Sequence, residues 1–418
     1  MESILSSSCY MPPTDMIENL EPGSVSAPVA RESGEPKDRI RVLHVIFHFE
    51  QGGIERYLLE TLRAIDRSQV QMDFVAWMDR KFAFTDEVLA LGSKILVCPS
   101  PRQPVQCARQ FARVIKEHGP YDIVHSHTQH HSGIYMALAA LNGVQERIVH
   151  SHTDTRQASK SLSFPTRVYR EAMRNLVQVA ATGGLATSGF AAADMFPGRW
   201  NSSWRWGLQL STSDLTRVEP QSRDIELCRE LGLPEDAWVV GHVGRFFPVK
   251  NHPFLLEVFR VFAKVIPNAY LVCLGHGPEK DGFESLVKQA GLESRVRVQL
   301  SRKDVGRFFG GLFDVFVFPS LYEGLGMAAI EAQAAGIPVL MSDRVPPEAV
   351  AIPEITRVMS LNSSPEQWAE EVIRLRVTAE AIDRNECYQR LQASPFNIER
   401  NAANLLNYYK KLVSSHSD

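Results

Sequence analysis

Cysteine is sparse and unorganised in this chain: six in 418 residues, none in a C-x-x-C or zinc-finger spacing. That argues against a thiolate metal site or a disulfide framework and fits a reducing compartment. No apolar run reaches the roughly 20 residues that span a bilayer. The first 20 residues hold acids and a Pro-Pro pair but no apolar core of the signal-peptide kind, so the expected location is cytoplasmic. Charge of neither sign dominates, with 45 basic against 48 acidic residues and a net charge of −3. Nothing in that balance, and no motif, points to nucleic acid. A chain that is 44% hydrophobic and 22% charged remains, ordinary for a globular protein of two or three domains.

Residues 1–38, rich in Ser, Pro, Glu and Gly, lack periodicity and read as a disordered extension. From Arg41 the character changes to short β-branched runs alternating with helical patterns. RVLHVIF is followed by a Gly-Gly turn and IERYLLETLRAI, and further strands are expected near 72–76, 94–97, 123–127 and 147–152. A second series starts at Trp238 with WVVGHVGR and continues through AYLVCLG, RVRVQL, DVFVFPS and IPVLMSD. Such alternation implies βαβ units and parallel sheets. The expected fold is α/β, with two doubly wound domains facing across a cleft. The expected divisions are a first domain over 39–212, a linker over 213–236, a second domain over 237–394 and a last helical segment over 395–418 that returns to the first domain. Residues 200–236 read as irregular.

The pentapeptide VHSHT occurs at 124–128 and again at 149–153, and six of the thirteen histidines fall within 28 residues. The 25-residue offset is close to one βαβ unit. Both copies then sit at carboxyl ends of parallel strands, where ligands of open α/β sheets bind. His127 and His131 have the spacing of a helical ligand pair, but the preceding apolar run puts His127 at a strand end, and no H-E-x-x-H accompanies it. Hydrogen-bonded packing at the sheet rim accounts for most of these histidines; His127 is the expected functional one and His152 an expected acceptor contact.

Two further segments carry chemistry. In PSLYEGLGMAAIEAQAAGIPV a strand ends, a Gly-rich loop follows and a helix opens, which offers backbone N–H groups to an anion. Glu323 and Glu331 could accept hydrogen bonds from sugar hydroxyls, or be ordinary surface acids beside a helix cap. In VGRFFPVKNH, Arg245 and Lys250 follow a strand end and suit a pyrophosphate, or are two solvated loop charges.

Taken together, the Glu323-x7-Glu331 pair, VGRF…VKNH, LGHGP and the GGIE at 52–55 resemble the family 4 glycosyltransferases, retaining enzymes of the GT-B fold. The match runs from about Arg41 to the C-terminus, and RIVHSHT and EAQAAGIPV are similar to bacterial enzymes of exopolysaccharide or capsule assembly. The resemblance implies a nucleotide-sugar donor and a glycan or lipid-linked acceptor. It implies that Arg245 and Lys250 hold the donor diphosphate, that Glu331 meets the ribose and that Glu323 faces the donor sugar. Gly324, Leu325, Gly326 and Met327 would line sugar and phosphate with their amides, Gly52 and Gly53 would close over the phosphates, and His127 would stand beside donor sugar and acceptor. Many sugar transferases use a metal held by Asp-x-Asp; that motif occurs nowhere here, so neither a metal nor another cofactor is expected. The chain departs from the family at Trp206-Gly207-Leu208-Gln209, where relatives read Asn-Gly-Ile-Asp, and at Ser301, where Gly is common.

Other readings share parts of this pattern: a GT-B epimerase or hydrolase using the same phosphate site, a non-catalytic nucleotide-sugar-binding partner, or a metal hydrolase built on the histidines. Arg167, Arg170 and Arg174, on one helical face with Arg156 and Lys160 nearby, form either a solvated surface or a grip on anionic lipid at the inner face of a membrane.

Overall fold

The structure is a computed structural model that describes residues 39–50, 52–159 and 162–415. The expected extension over 1–38, Cys9 and Lys160 lie outside the described residues. The chain forms two compact units. The first takes the chain up to Ala186, Ala192–Leu208 and everything from Ala402; the second takes Thr187–Ala191 and Gln209–Asn401.

The first unit holds a seven-stranded sheet: β1 (Ile40–Val45), β2 (Val70–Ala76), β3 (Ile95–Val97), β4 (Ile123–Ser126), β5 (Glu146–Ser151), β6 (Gly183–Ala186) and β7 (Trp206–Leu208). Its order is β3-β2-β1-β4-β5-β6-β7, and every pairing is parallel. The strand order therefore reverses between β1 and β4, the point where a crevice opens beyond the carboxyl ends. The alternating pattern gave β1 to β5 to within a few residues. It missed β6, whose sequence GGLA has no β-branched residue, and β7, three residues in a stretch expected to be irregular. Glycine is needed in β6 because Trp206 packs against it: a Cβ at Gly184 would stand 2.5 Å from the indole.

The second unit holds six parallel strands in the order β10-β9-β8-β11-β12-β13. They are β8 (Trp238–Val243), β9 (Ala269–Leu274), β10 (Val296–Gln299), β11 (Val315–Phe318), β12 (Val339–Ser342) and β13 (Thr356–Met359). The reversal here falls between β8 and β11. The edge strand β13, with Arg357 and Val358 exposed, was not anticipated. Residues 213–236 cluster with this unit and include the helix Ile225–Glu230, capped by the Asp224 side chain on the Leu227 amide.

The last helix, Ile398–Ser414, passes into the first unit. Ala402, Leu405, Leu406, Tyr409 and Leu412 join the same apolar core as Val42, Phe74 and Ile148. Gln209, at the family's usual Asp, is buried and donates to Asn401 Oδ1 at 2.6 Å and to its carbonyl at 3.1 Å. Ser301, at the usual Gly, bonds His276 Nδ1 of LGHGP at 2.7 Å. Among the described residues no helix is long and apolar enough to cross a membrane.

Candidate active site

In the second unit the loops after β8 and β11 are bound to each other where the strand order reverses. The Leu321 amide donates to the Val249 carbonyl at 2.8 Å, and Asn251 Nδ2 donates to the Pro319 carbonyl at 3.2 Å. Asn251 takes a left-handed conformation, φ +57°, which its short polar side chain tolerates. Across this junction Lys250 Nζ meets Glu323 Oε1 at 2.5 Å, with both side chains mostly shielded, and the ammonium lies 4.7 Å from the centre of the Phe318 ring. Arg245, on the same loop, is exposed and stacks over Phe247 at 5.0 Å.

The glycine loop follows. Gly326 caps the helix Met327–Ala334 at φ +96°, and no side chain bonds the helix start. Its first N–H groups are left for a ligand or solvent. A side chain at Gly326 would be strained by that φ, and its Cβ would stand 3.1 Å from Val345 and 3.3 Å from Phe318. Leu325 is buried in the core, which pins the loop beneath its own amides. Glu331 accepts from Ser213 Oγ at 2.8 Å, a partner the sequence did not suggest. His242, which with Lys250 packs against Gly244, is buried, with Nδ1 on the Val317 carbonyl at 2.9 Å. Burial lowers its pKa to about 4 despite that bond.

The first unit gathers histidines. Leu43, His44 and Val45 of β1 pair with Val124, His125 and Ser126 of β4, and His125 pairs with Ile148 of β5. The two VHSHT copies are neighbours, as expected, but out of register by two residues. A slip of two keeps the same face, so His44, His125, His127, His150 and His152 crowd one side of the sheet. His44 Nδ1 to His127 Nε2 is 3.0 Å, and His127 Nδ1 to His152 Nε2 is 2.8 Å. Each neutral ring has one N–H, so the two bonds must run in the same direction along the chain. Both nitrogens of His127 are thereby engaged within the cluster, and the ring is buried.

Tyr409 of the last helix bonds His125 Nδ1 at 2.6 Å. Tyr409→Phe removes that bond from a buried ring, and a loss of about 1–3 kcal/mol is expected in urea unfolding. Equal stability in both proteins would show that the hydroxyl contributes nothing net.

Two overlapping triads, His44/His125/His127 and His127/His150/His152, bring ring nitrogens within 4.8 Å and could hold an ion. An ion there would displace the bonds of His127, and neither triad includes a carboxylate or thiolate to offset its charge.

Gly52 and Gly53 open the helix Gly53–Ala64 after β1. A Cβ on Gly52 would meet Glu55 Oε2 at 2.1 Å, while Gly53 faces open space. Glu55 Oε1 is 3.3 Å from His48 Nδ1.

Comparison with known proteins decides the family. A putative glycosyltransferase of Bacillus subtilis, EpsF, is 31% identical over 90% of this chain and 98% of its own. The chain is a group 1 glycosyltransferase. Residues 224–389 match the family "Glycosyl transferases group 1" and residues 52–196 the "Glycosyl transferase 4-like domain". The Staphylococcus aureus capsular polysaccharide biosynthesis glycosyltransferase CapH is 22% identical over 73% of this chain and 81% of its own. Among solved structures, Anabaena HepE in complex with UDP and glucose superposes with a TM-score of 0.66 at 16% identity, over 91% of this chain and all of that one. The two parallel-sheet units are those of the GT-B fold.

Proposed function

We propose that this glycosyltransferase transfers its sugar with retention, from a nucleoside-diphosphate sugar to a glycan or lipid-linked acceptor in polysaccharide assembly. The observation that carries the reading is the Lys250–Glu323 pair joining the β8 and β11 loops, with Arg245 exposed beside it. A sugar–phosphate bond that breaks there delivers its negative charge to a preset ammonium and guanidinium. The helix start at Gly326, which no side chain bonds, adds a dipole of the right sign. Glu323, held by Lys250, is placed to accept from donor-sugar hydroxyls, and Glu331 from the ribose. Gly324 to Met327 supply amides; Gly52 and Gly53 belong to the first unit's share of the donor loop. His127 and His152 act beside the acceptor within the bonded histidine chain, so a ligand that takes a nitrogen of His127 must replace an existing partner. CapH supplies the polysaccharide context, and HepE makes a uridine nucleotide the first donor to try. No metal or other cofactor enters this reading.

The same reading places the enzyme in the cytoplasm, at the inner face of a membrane. The helix Phe164–Ala180 exposes Phe164, Arg167 and Val168. Arg170 instead bonds Ser159 Oγ at 2.7 Å, and Arg174 pairs with Glu171. Among the described residues of this helix, the cation exposed between apolar side chains is Arg167, beside Phe164 and Val168.

UDP-, GDP- and ADP-sugars without metal should separate in a thermal-shift panel. A donor at 100 times its Kd adds about 2.7 kcal/mol of stability. One base class should raise the transition of the wild type and leave Arg245→Ala unmoved. A shift that survives in Arg245→Ala, or no shift with any donor, would count against the assigned site.

A further inference from the structure

The segments that follow four adjacent strands of the first sheet, β3-β2-β1-β4, each carry one large side chain: Trp77 and Phe47 just after β2 and β1, and Arg102 and His131 farther along the loops after β3 and β4. Three of them form a continuous aromatic set. The Phe47 and Trp77 rings meet edge to face at 4.6 Å, and Trp77 and His131 do so at 5.2 Å. Tyr169, from the helix Phe164–Ala180, closes the far side at 5.9 Å from His131 and is 39% exposed. Phe47, Trp77 and His131 remain partly exposed, although packing inside the unit could have covered them. The set sits where the strand order reverses, the position at which open parallel sheets bind ligands.

The electrostatics of this rim are one-sided. Arg102 is exposed and has no carboxylate partner among the described residues. Burial pulls His131 down to about 4, with Arg102 and Arg170 on the cationic side of the balance. At neutral pH the imidazole is therefore an uncharged ring and a hydrogen-bonding group. The backbone beside it is held in a sparsely populated conformation, Gln129 at φ +52°, with its side chain donating to the Thr153 carbonyl at 3.4 Å. Such strain persists where surrounding structure imposes it.

We infer that this rim is a second ligand site, taking a sugar ring that carries an anionic group. The ring would lie against Phe47, Trp77, His131 and Tyr169, and the carboxylate or phosphate would meet Arg102. Aromatic faces suit the C–H surface of a pyranose, and a guanidinium suits the planar or trigonal oxygens of either anion. On the glycosyltransferase reading this ligand is the acceptor, but the site's chemistry stands on its own residues.

Saturation-transfer NMR on the full chain tests the inference with three small probes: methyl glucuronide, methyl glucoside 6-phosphate and the neutral methyl glucoside. The two anionic sugars should give signal and the neutral one little. Arg102→Ala, at an exposed position, should weaken the anionic sugars roughly tenfold, the loss of one charge-assisted hydrogen bond. Tyr169→Ala should weaken all contacts to the ring while leaving the thermal transition in place. Binding of the carboxylate alone or the phosphate alone would support the site and identify the source of the anion. Equal binding of the neutral sugar, or unchanged affinity in Arg102→Ala, would overturn it. Nucleotide-sugar stabilisation is read separately in the second unit. If that fails while anionic sugars bind, the donor assignment falls and this site stands; the reverse result removes this site alone.

Discussion

Lys250→Met is expected to lower kcat by about 10²–10³, the range seen when one preset charge or donor at a developing anion is removed. On the proposed donor site the diphosphate gains charge as the sugar leaves, so the ammonium would interact more strongly with the transition state than with the bound donor. The loss should fall on kcat rather than on the donor KM. A second consequence separates chemistry from folding. Removing the ammonium leaves Glu323 shielded and unpaired, which costs about 1–3 kcal/mol of stability. Combining Lys250→Met with Glu323→Gln should restore most of that stability and none of the activity. Steady-state kinetics beside urea unfolding of the single and double variants would show both. A variant whose KM rises while kcat holds would make Lys250 a ground-state ligand only.

Acid should unfold this protein early and steeply. Burial first, then neighbouring imidazoles, lowers the pKa values of His44, His125, His127 and His152, that of His44 to about 3. Folded, these rings stay neutral; unfolded, they take up protons below the ordinary value of about 6.5. Their contribution is therefore complete above about pH 6.5 and is lost as the pH falls from there toward the folded values. Each such ring costs roughly 1.4 kcal/mol per pH unit in that window. Four of them would consume a typical stability of about 5–15 kcal/mol within one to three pH units. The second unit adds His242, lowered to about 4, and His252, lowered to about 2, in both cases by burial first. Urea midpoints taken from pH 7.5 to 4.5 should drop steadily below 6.5. A flat profile would mean that the rings are charged, or solvated, in the native protein.

Much of this architecture is legible in the residues. Short β-branched runs alternating with helical spacing gave most strands of both sheets, though not β6, β7 or β13, and the E-x7-E pair with VGRF…VKNH marked the two loops of the second unit's reversal. That Lys250 meets Glu323 was not legible, because the pair is 73 residues apart and depends on β8 lying beside β11. The histidine repeat could be placed at neighbouring strand ends, whereas its two-residue slip depends on register, which identical pentapeptides conceal. Phe47, Trp77, His131 and Tyr169 carry no motif at all. Phe47 and Trp77 each stand two residues or fewer past a strand end, a signal visible only once the strands have boundaries. Gln209 shows the opposite case: the family Asp is absent, yet a longer amide finds Asn401 and keeps the position buried.

The last helix has a consequence for how the chain is made. Five of its side chains complete the apolar core of the first unit, and its Tyr409 completes the bonding of His125. On the ribosome the residues around β1 to β7 emerge long before Ala402, and they must wait with an open core while the whole second unit is synthesised. The second unit has no such gap to wait for, since apart from Thr187–Ala191 it is the single stretch Gln209–Asn401. Folding of the first unit should therefore finish only after the second unit has been made, when the helix Ile398–Ser414 seals its sheet.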